Sequence, residues 1–242
     1  MQGRYRIRKI LELLTPYARR NELLLDAGCI SGIVSIPYAM MGGQVVGVDI
    51  GRGFIEKAKS ESKKIGLNNK AKFLVGNITD LSFLKDNIFD VVLCSEVLEH
   101  LLKPYKALKE FKRVLKNGGI LILTTPNPLK LSKDIRRTLR CTISILLKRV
   151  IIDKIDIIES SSIHKSYGVS PTRYKHTEFA PFELKRMLPP EFKIIKSVTI
   201  IYPFVSKITK NESIKSKFYQ CIEKIPILNM LGTYSFLVAK KV

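Results

Sequence analysis

The chain has 242 residues, of which 45% are hydrophobic and 26% charged, the length of one ordinary domain and the composition of a globular one. Its 42 Lys+Arg stand against 21 Asp+Glu, a net charge of +21, and a field of that sign favours polyanions such as nucleic acid, anionic lipid or phosphorylated substrates. Lys outnumbers Arg 29 to 13, and lysine reads base edges less specifically than arginine, which argues against a sequence-selective duplex reader.

Residues 5–14 carry apolar side chains at 7, 10, 11, 13 and 14, the spacing of an amphipathic helix, with Pro16 as its stop. A short apolar run, Leu23-Leu24-Leu25, enters the glycine-containing turn 26–32 and reads as a buried strand. A helix is expected over 33–41, capped by Gly42-Gly43, followed by a second buried strand over 44–48 ending at Asp49. A helix over 54–65, strands over 71–75 and 89–94, a helix over 104–115 and a strand over 120–124 follow, the last after the turn Asn117-Gly118-Gly119. Strands and helices alternate through residue 127, the pattern of a parallel sheet covered on both faces. Residues 129–158 form a long amphipathic stretch, and 160–175 read as a polar loop. A short helix at 181–188, a strand at 192–201, a basic helix at 207–230 and a last strand at 234–239 complete one domain over 1–242.

Cys29, Cys94, Cys141 and Cys221 form no C-x-x-C pair. Neither a zinc knuckle nor a disulfide framework is signalled, and a reduced, cytoplasmic compartment is expected. The first residues read as a basic amphipathic stretch rather than a secretory signal. The charge-free window 27–48 holds five glycines and Pro37, so it is read as protein interior, not as a membrane span.

In an open α/β sheet, ligands bind at the carboxyl ends of the strands. Gly28 and Gly32 follow the first strand, and Asp49 ends the second, 17 residues after Gly32. An acid there suits the ribose hydroxyls of an adenosine cofactor. The loop Gly28-Cys29-Ile30-Ser31-Gly32 lacks the middle glycine of a dinucleotide fingerprint, and no Gly-Lys-Ser/Thr phosphate loop occurs.

The ordered motifs Leu25-Asp26-Ala27-Gly28-Cys29-Ile30-Ser31-Gly32, Val46-Gly47-Val48-Asp49, Gly76-Asn77-Ile78, Phe89-Asp90-Val91-Val92 and Leu115-Lys116-Asn117-Gly118-Gly119 resemble those of class I S-adenosylmethionine-dependent methyltransferases. The resemblance implies a Rossmann-like α/β fold: a seven-stranded, mostly parallel sheet with an antiparallel last strand and helices on both faces. It implies Asp26, Gly28 and Gly32 around the methionyl part of S-adenosylmethionine, Asp49 on the ribose and Ile50 against the adenine. It also implies Asn77 and Ile78 at the adenine edge, and Ser95 on the cofactor side. Ile30 stands where the family usually has glycine.

Ser95-Glu96-Val97-Leu98-Glu99-His100 follows the fourth strand. If the segment is helical, Glu96, Glu99 and His100 share one face. Such a group can hold a divalent cation, or His100 can act as general base with Glu99 orienting it. A structural role is the third reading. The Glu-x-x-Glu-His cluster, with His176-Thr177-Glu178-Phe179 downstream, looks like the ubiquinone-biosynthesis O-methyltransferases and the small-RNA 2′-O-methyltransferases. That resemblance implies Glu96, Glu99, His100 and His176 around one ion, Mg²⁺ by family habit, although two imidazoles suit softer metals better.

In this family the substrate lid lies between the fifth strand and the next helix, here about 128–175. Residues 130–149 hold seven Lys/Arg and one Asp. That segment reads as an interfacial helix on an anionic membrane, as a polyphosphate track for RNA, or as a lid with solvated charges. The expected activity is O-methylation of a small or lipid-linked acceptor (polyprenyl, quinone-like or glycan). The alternatives are an RNA 2′-O-methyltransferase and a non-catalytic basic binding module.

Overall fold

The computed structural model describes residues 2–129, 177–200 and 232–242, together with 213, 214, 217, 218 and 221. The elements are α1 (Gln2–Arg19), β1 (Leu23–Ala27), α2 (Ser35–Met40), β2 (Gln44–Asp49), α3 (Arg52–Lys64), β3 (Ala71–Val75), β4 (Phe89–Ser95), α4 (Pro104–Val114), β5 (Leu115–Pro126), α5 (Pro181–Met187), β6 (Phe192–Ile200) and β7 (Tyr234–Lys241). A single turn of 3-10 helix, Leu98–His100, lies between β4 and α4.

The strands form one seven-stranded sheet in the order β3-β2-β1-β4-β5-β7-β6. β1 to β5 pair in parallel, and β7 runs antiparallel between β5 and β6. The expected architecture, antiparallel last strand included, is therefore the observed one. Successive strand residues alternate between two cores. Leu24, Val45, Val91 and Ile122 face the side covered by α1, α2 and α3, with Ile10, Tyr38 and Ile55. Leu25, Val48, Val92 and Leu123 face the side covered by α4 and α5, with Phe111 and Leu184. Burial on both faces is why these strands read as continuous apolar runs.

Pro16 does not stop α1, which runs through it to Arg19. A proline inside a helix loses one backbone hydrogen bond. Ile10, Leu14 and Ala18 lie on one face and are fully buried, so docking on the sheet holds the extra turn. The helix ends instead at Asn21, in the left-handed region at φ 57°. The Glu22 N–H donates to the Tyr17 carbonyl at 3.1 Å, and the Asn21 N–H to that of Ala18 at 3.0 Å, closing the helix end.

The expected turn at 117–119 is instead a bulge inside β5, where the register to β4 shifts and Gly118 sits at φ +80°. The lid, 128–175, is described only at 128 and 129, and the basic helix at 207–230 only at five helical, exposed positions. Those two readings otherwise lie outside the described residues. Among the described residues, no helix is long and apolar enough to cross a membrane.

Candidate active site

The register pairs Ala27 with Val48 and with Cys94, and Ser95 with Thr124, so the ends of β1, β2, β4 and β5 meet at one rim. Asp49 closes β2 there and is buried. Its Oδ2 accepts the Ile30 N–H and its Oδ1 the Gly51 N–H, both at 2.9 Å. One carboxylate thus orders the loop after β1 and the start of α3, and each oxygen keeps a lone pair for a ligand. That arrangement fits the adenosyl group of S-adenosylmethionine.

Gly28 and Gly32 sit at φ +85° and +81°. A Cβ on Gly28 would lie 2.3 Å from Val97 Cγ2. The missing side chain at 28 therefore lets the segment after β4 pack on the loop after β1, rather than opening space for a ligand. Ile30 stands between them at φ 49° and is 43% exposed. A β-branched residue in the left-handed region is strained by roughly 1–2 kcal/mol. The Asp49 bond holds it there. Ile30→Gly is expected to relieve that strain and stabilise the fold by about 1 kcal/mol after the added backbone entropy of glycine. Urea denaturation reads this as a higher midpoint at unchanged slope; a lower midpoint would show that the Ile30 side chain is held by packing.

Asp26 is 3% exposed and accepts the Ser35 hydroxyl from α2. Burial pushes its carboxyl up to about 6; the Ser35 bond opposes this and the Asp49 charge adds to it. The native state therefore holds the proton more tightly than the unfolded chain. Stability falls as pH rises from about 4 to about 6 and stays lower above, by up to about 3 kcal/mol. Asp26→Asn is expected to match the wild type near pH 4 and exceed it by about 2 kcal/mol at pH 8. Denaturation midpoints across that range test this, and parallel curves would contradict it.

Of the remaining cofactor candidates, Ile50 is exposed at the rim. Asn77 is exposed, and its Oδ1 accepts the Thr79 N–H at 3.0 Å and the Thr79 hydroxyl at 2.9 Å. The Ile78 side chain is buried in the core, which leaves its backbone as the part able to meet an adenine edge. The Ser95 hydroxyl bonds Thr124 Oγ1 at 2.9 Å.

The acceptor segment is not the α-helix considered from sequence. Glu96 takes φ 59°, outside any helix, and only Leu98–His100 form a 3-10 turn. Glu96 Oε1 accepts the Thr124 hydroxyl at 3.0 Å, and Oε2 pairs with Arg6 Nη1 at 2.8 Å. Glu99 is 1% exposed, and its Oε2 has no hydrogen-bond partner. Burial first, then the nearby Glu96 carboxylate, pushes Glu99 well above the usual carboxylate range. The His100 side chain is 39% exposed, and its Nε2 lies 4.0 Å from Glu99 Oε1. His100 thus faces solvent at the rim with Glu99 beneath it, at a separation longer than a hydrogen bond.

Among the described residues, no three metal-ligating side chains converge. His176 lies outside them. Its neighbour Thr177 donates its N–H to the Glu99 carbonyl oxygen at 2.8 Å, which brings the chain after the lid to the acceptor segment. Sequence reasoning missed Arg6, whose guanidinium also lies over the Tyr234 ring at 5.1 Å. Arginines in a basic helix 90 residues upstream carry no motif that marks one of them as a site residue.

Residues 25–123 match a family model described as a methyltransferase domain. The chain is 32% identical over 117 residues to a methyltransferase of Aspergillus luteorubrus, a match covering 45% of this chain and 41% of that protein. It is 38% identical over 109 residues to the ubiquinone biosynthesis O-methyltransferase of Pelagibacter ubique, covering 45% of this chain and 43% of that protein. The matched stretch is thus less than half the length of these relatives. Among solved structures, a protein of Pyrococcus horikoshii superposes with a TM-score of 0.62 at 22% identity, covering 100% of this chain and 92% of that one. Geranyl diphosphate methyltransferase in complex with S-adenosylmethionine superposes with a TM-score of 0.59 at 14% identity, covering 97% of this chain and 85% of that one. At those identities the likeness shows the fold alone. Residues 25–123 are thus similar to a methyltransferase domain, and the ordered motifs that resemble class I S-adenosylmethionine-dependent methyltransferases lie in the same stretch.

Proposed function

We propose that this protein transfers the methyl group of S-adenosylmethionine to an oxygen of a small or lipid-linked hydroxyl acceptor, with polyprenyl, quinone-like and glycan acceptors as the classes to test. The observation that carries the reading is Asp49, buried at the end of β2 and bonded to the loop after β1. The printed function of the Pelagibacter ubique relative supports oxygen as the target atom. The cofactor supplies an electrophilic methyl on a sulfonium. Asp26, Asp49, Ile50 and the backbone of 28–32, 77 and 78 would bind and orient it, with Ser95 beside them. His100 would take the acceptor proton, and Glu99 would orient the imidazole. Holding both reactants in line supplies most of the acceleration in such a reaction.

A cation held by Glu96, Glu99, His100 and His176 is a second reading, favoured by the Thr177 contact to Glu99. It requires Glu96 to leave Arg6. Peripheral docking on an anionic membrane through 130–149, from the cytoplasmic side, would suit a lipid-linked acceptor and the charge of +21. Calorimetry with S-adenosylmethionine, then transfer of labelled methyl to lipid extract, RNA and soluble hydroxy compounds, tests the reading. No binding at millimolar cofactor ends it. Label on RNA ribose replaces the acceptor class, and activity lost with chelator and in His176→Ala selects the cation. Vesicles of phosphatidylserine that fail to sediment the protein remove the membrane.

A further inference from the structure

Glu96 is a non-glycine residue in the left-handed region, at φ 59°, directly after β4. Such a conformation persists only where its surroundings over-determine it. The Glu96 N–H donates to the Thr124 carbonyl at 2.9 Å, and Thr124 Oγ1 donates to Oε1 at 3.0 Å. A further restraint comes from α1, where Arg6 Nη1 reaches Oε2 at 2.8 Å. Arg6 is itself clamped against Tyr234 at the start of β7, at 5.1 Å from the ring centroid. Its Nε is buried without a hydrogen-bond partner. A guanidinium that leaves a donor orphaned is poorly explained as a stabilising group alone. Arg6 also lies outside the 25–123 match, so the family match assigns it nothing.

We propose that Arg6 is a positioning residue of the acceptor site: by holding Glu96 it fixes the left-handed turn that presents Glu99 and His100, and it couples the seating of α1 to the assembly of that site. Glycine at 96 would adopt the turn at less cost. Glutamate makes the turn conditional on a partner from another element. When α1 lifts, Glu96 loses the ion pair with Arg6 and the turn loses one of its restraints. The place of Arg6 in catalysis rests on the methyltransferase reading; the coupling itself does not.

Hydrogen exchange on the full chain tests the coupling. The probes are the amides of Glu96, His100 and Leu101, bonded to the carbonyls of Thr124, Val97 and Leu98. Arg6→Met is expected to speed their exchange about tenfold while the β2 amides stay unchanged. Arg6→Lys keeps the charge and is expected to hold them within about threefold of wild type. Glu96→Gln, with the charge removed at the other end, should release the α1 amides in the same way, and it carries the test if Arg6→Met fails to fold. Unchanged exchange at 96, 100 and 101, equal acceleration in β2, or an Arg6→Lys no better than Arg6→Met would overturn the proposal. Calorimetry with S-adenosylmethionine on the two Arg6 variants should give dissociation constants within about twofold of wild type, since Arg6 touches none of the cofactor residues. A wild type that does not bind the cofactor would remove the methyltransferase reading and leave the coupling to be judged on exchange alone.

Discussion

Asp49→Asn is expected to weaken S-adenosylmethionine binding by about 100-fold, close to 3 kcal/mol. In the native loop both carboxylate oxygens are acceptors, one for Ile30 and one for Gly51. An amide can offer an oxygen to only one of those N–H groups. The other would face an NH₂, donor against donor, inside a buried corner. Either Ile30 or Gly51 must then move, and each stands beside a candidate cofactor contact. The variant also lacks the charge that would strengthen hydrogen bonds from ribose hydroxyls, worth about 1.5–3 kcal/mol for a charged group. Calorimetry reads the loss directly, and circular dichroism checks that the sheet persists. A change of less than about threefold would take Asp49 out of the cofactor site.

The largest effect on stability is expected at Lys241. The residue is 8% exposed, and its ammonium makes three hydrogen bonds: to Asn87 Oδ1 at 2.8 Å, the Lys112 carbonyl at 2.7 Å and the Leu115 carbonyl at 2.6 Å. Those acceptors belong to the turn before β4, the last turn of α4 and the start of β5. Lys241 thus ties β7 to three segments that meet at the amino end of the sheet. Burial, then the charge of Lys112, lowers its pKa, so the bonds hold the ammonium against a real desolvation cost. Lys241→Met keeps the stem but removes three charged hydrogen bonds and leaves the buried Leu115 carbonyl without its ammonium partner, the latter alone at about 1–3 kcal/mol. A net loss of about 3 kcal/mol is expected in urea denaturation, against less than about 0.5 kcal/mol for the exposed neighbour in Lys240→Met. Equal losses in the two variants would show that the ammonium bonds contribute nothing.

Much of the frame is legible in the residues because the forces behind it are local. A run such as Gln44-Val45-Val46-Gly47-Val48 must be buried on both faces, and a glycine-rich turn must follow β1; both arise within a few positions. Asp49 is legible for the same reason. Pro16 was misleading because its cost is local, whereas the burial of Leu14 and Ala18 that outweighs it comes from the sheet. The segment 96–100 has helical spacing, yet Arg6 and Thr124 draw the Glu96 side chain out of that geometry. Lys241 is one of 29 lysines and reads as surface charge until β7 is seen to place it over the end of α4. His176 and the charges of 130–149 carry functional readings that lie outside the described residues.

The position of β7 sets an order on assembly. Among the described residues it follows every other strand in sequence, yet it lies between β5 and β6. During synthesis β6 emerges with no neighbour to join, and β5 presents an open edge until residues 234–241 arrive. A nascent chain halted before Tyr234 would display two unsatisfied strand edges, the kind that recruit chaperones or other copies. β7 therefore joins the sheet between two strands that precede it in the chain, not at the sheet's margin.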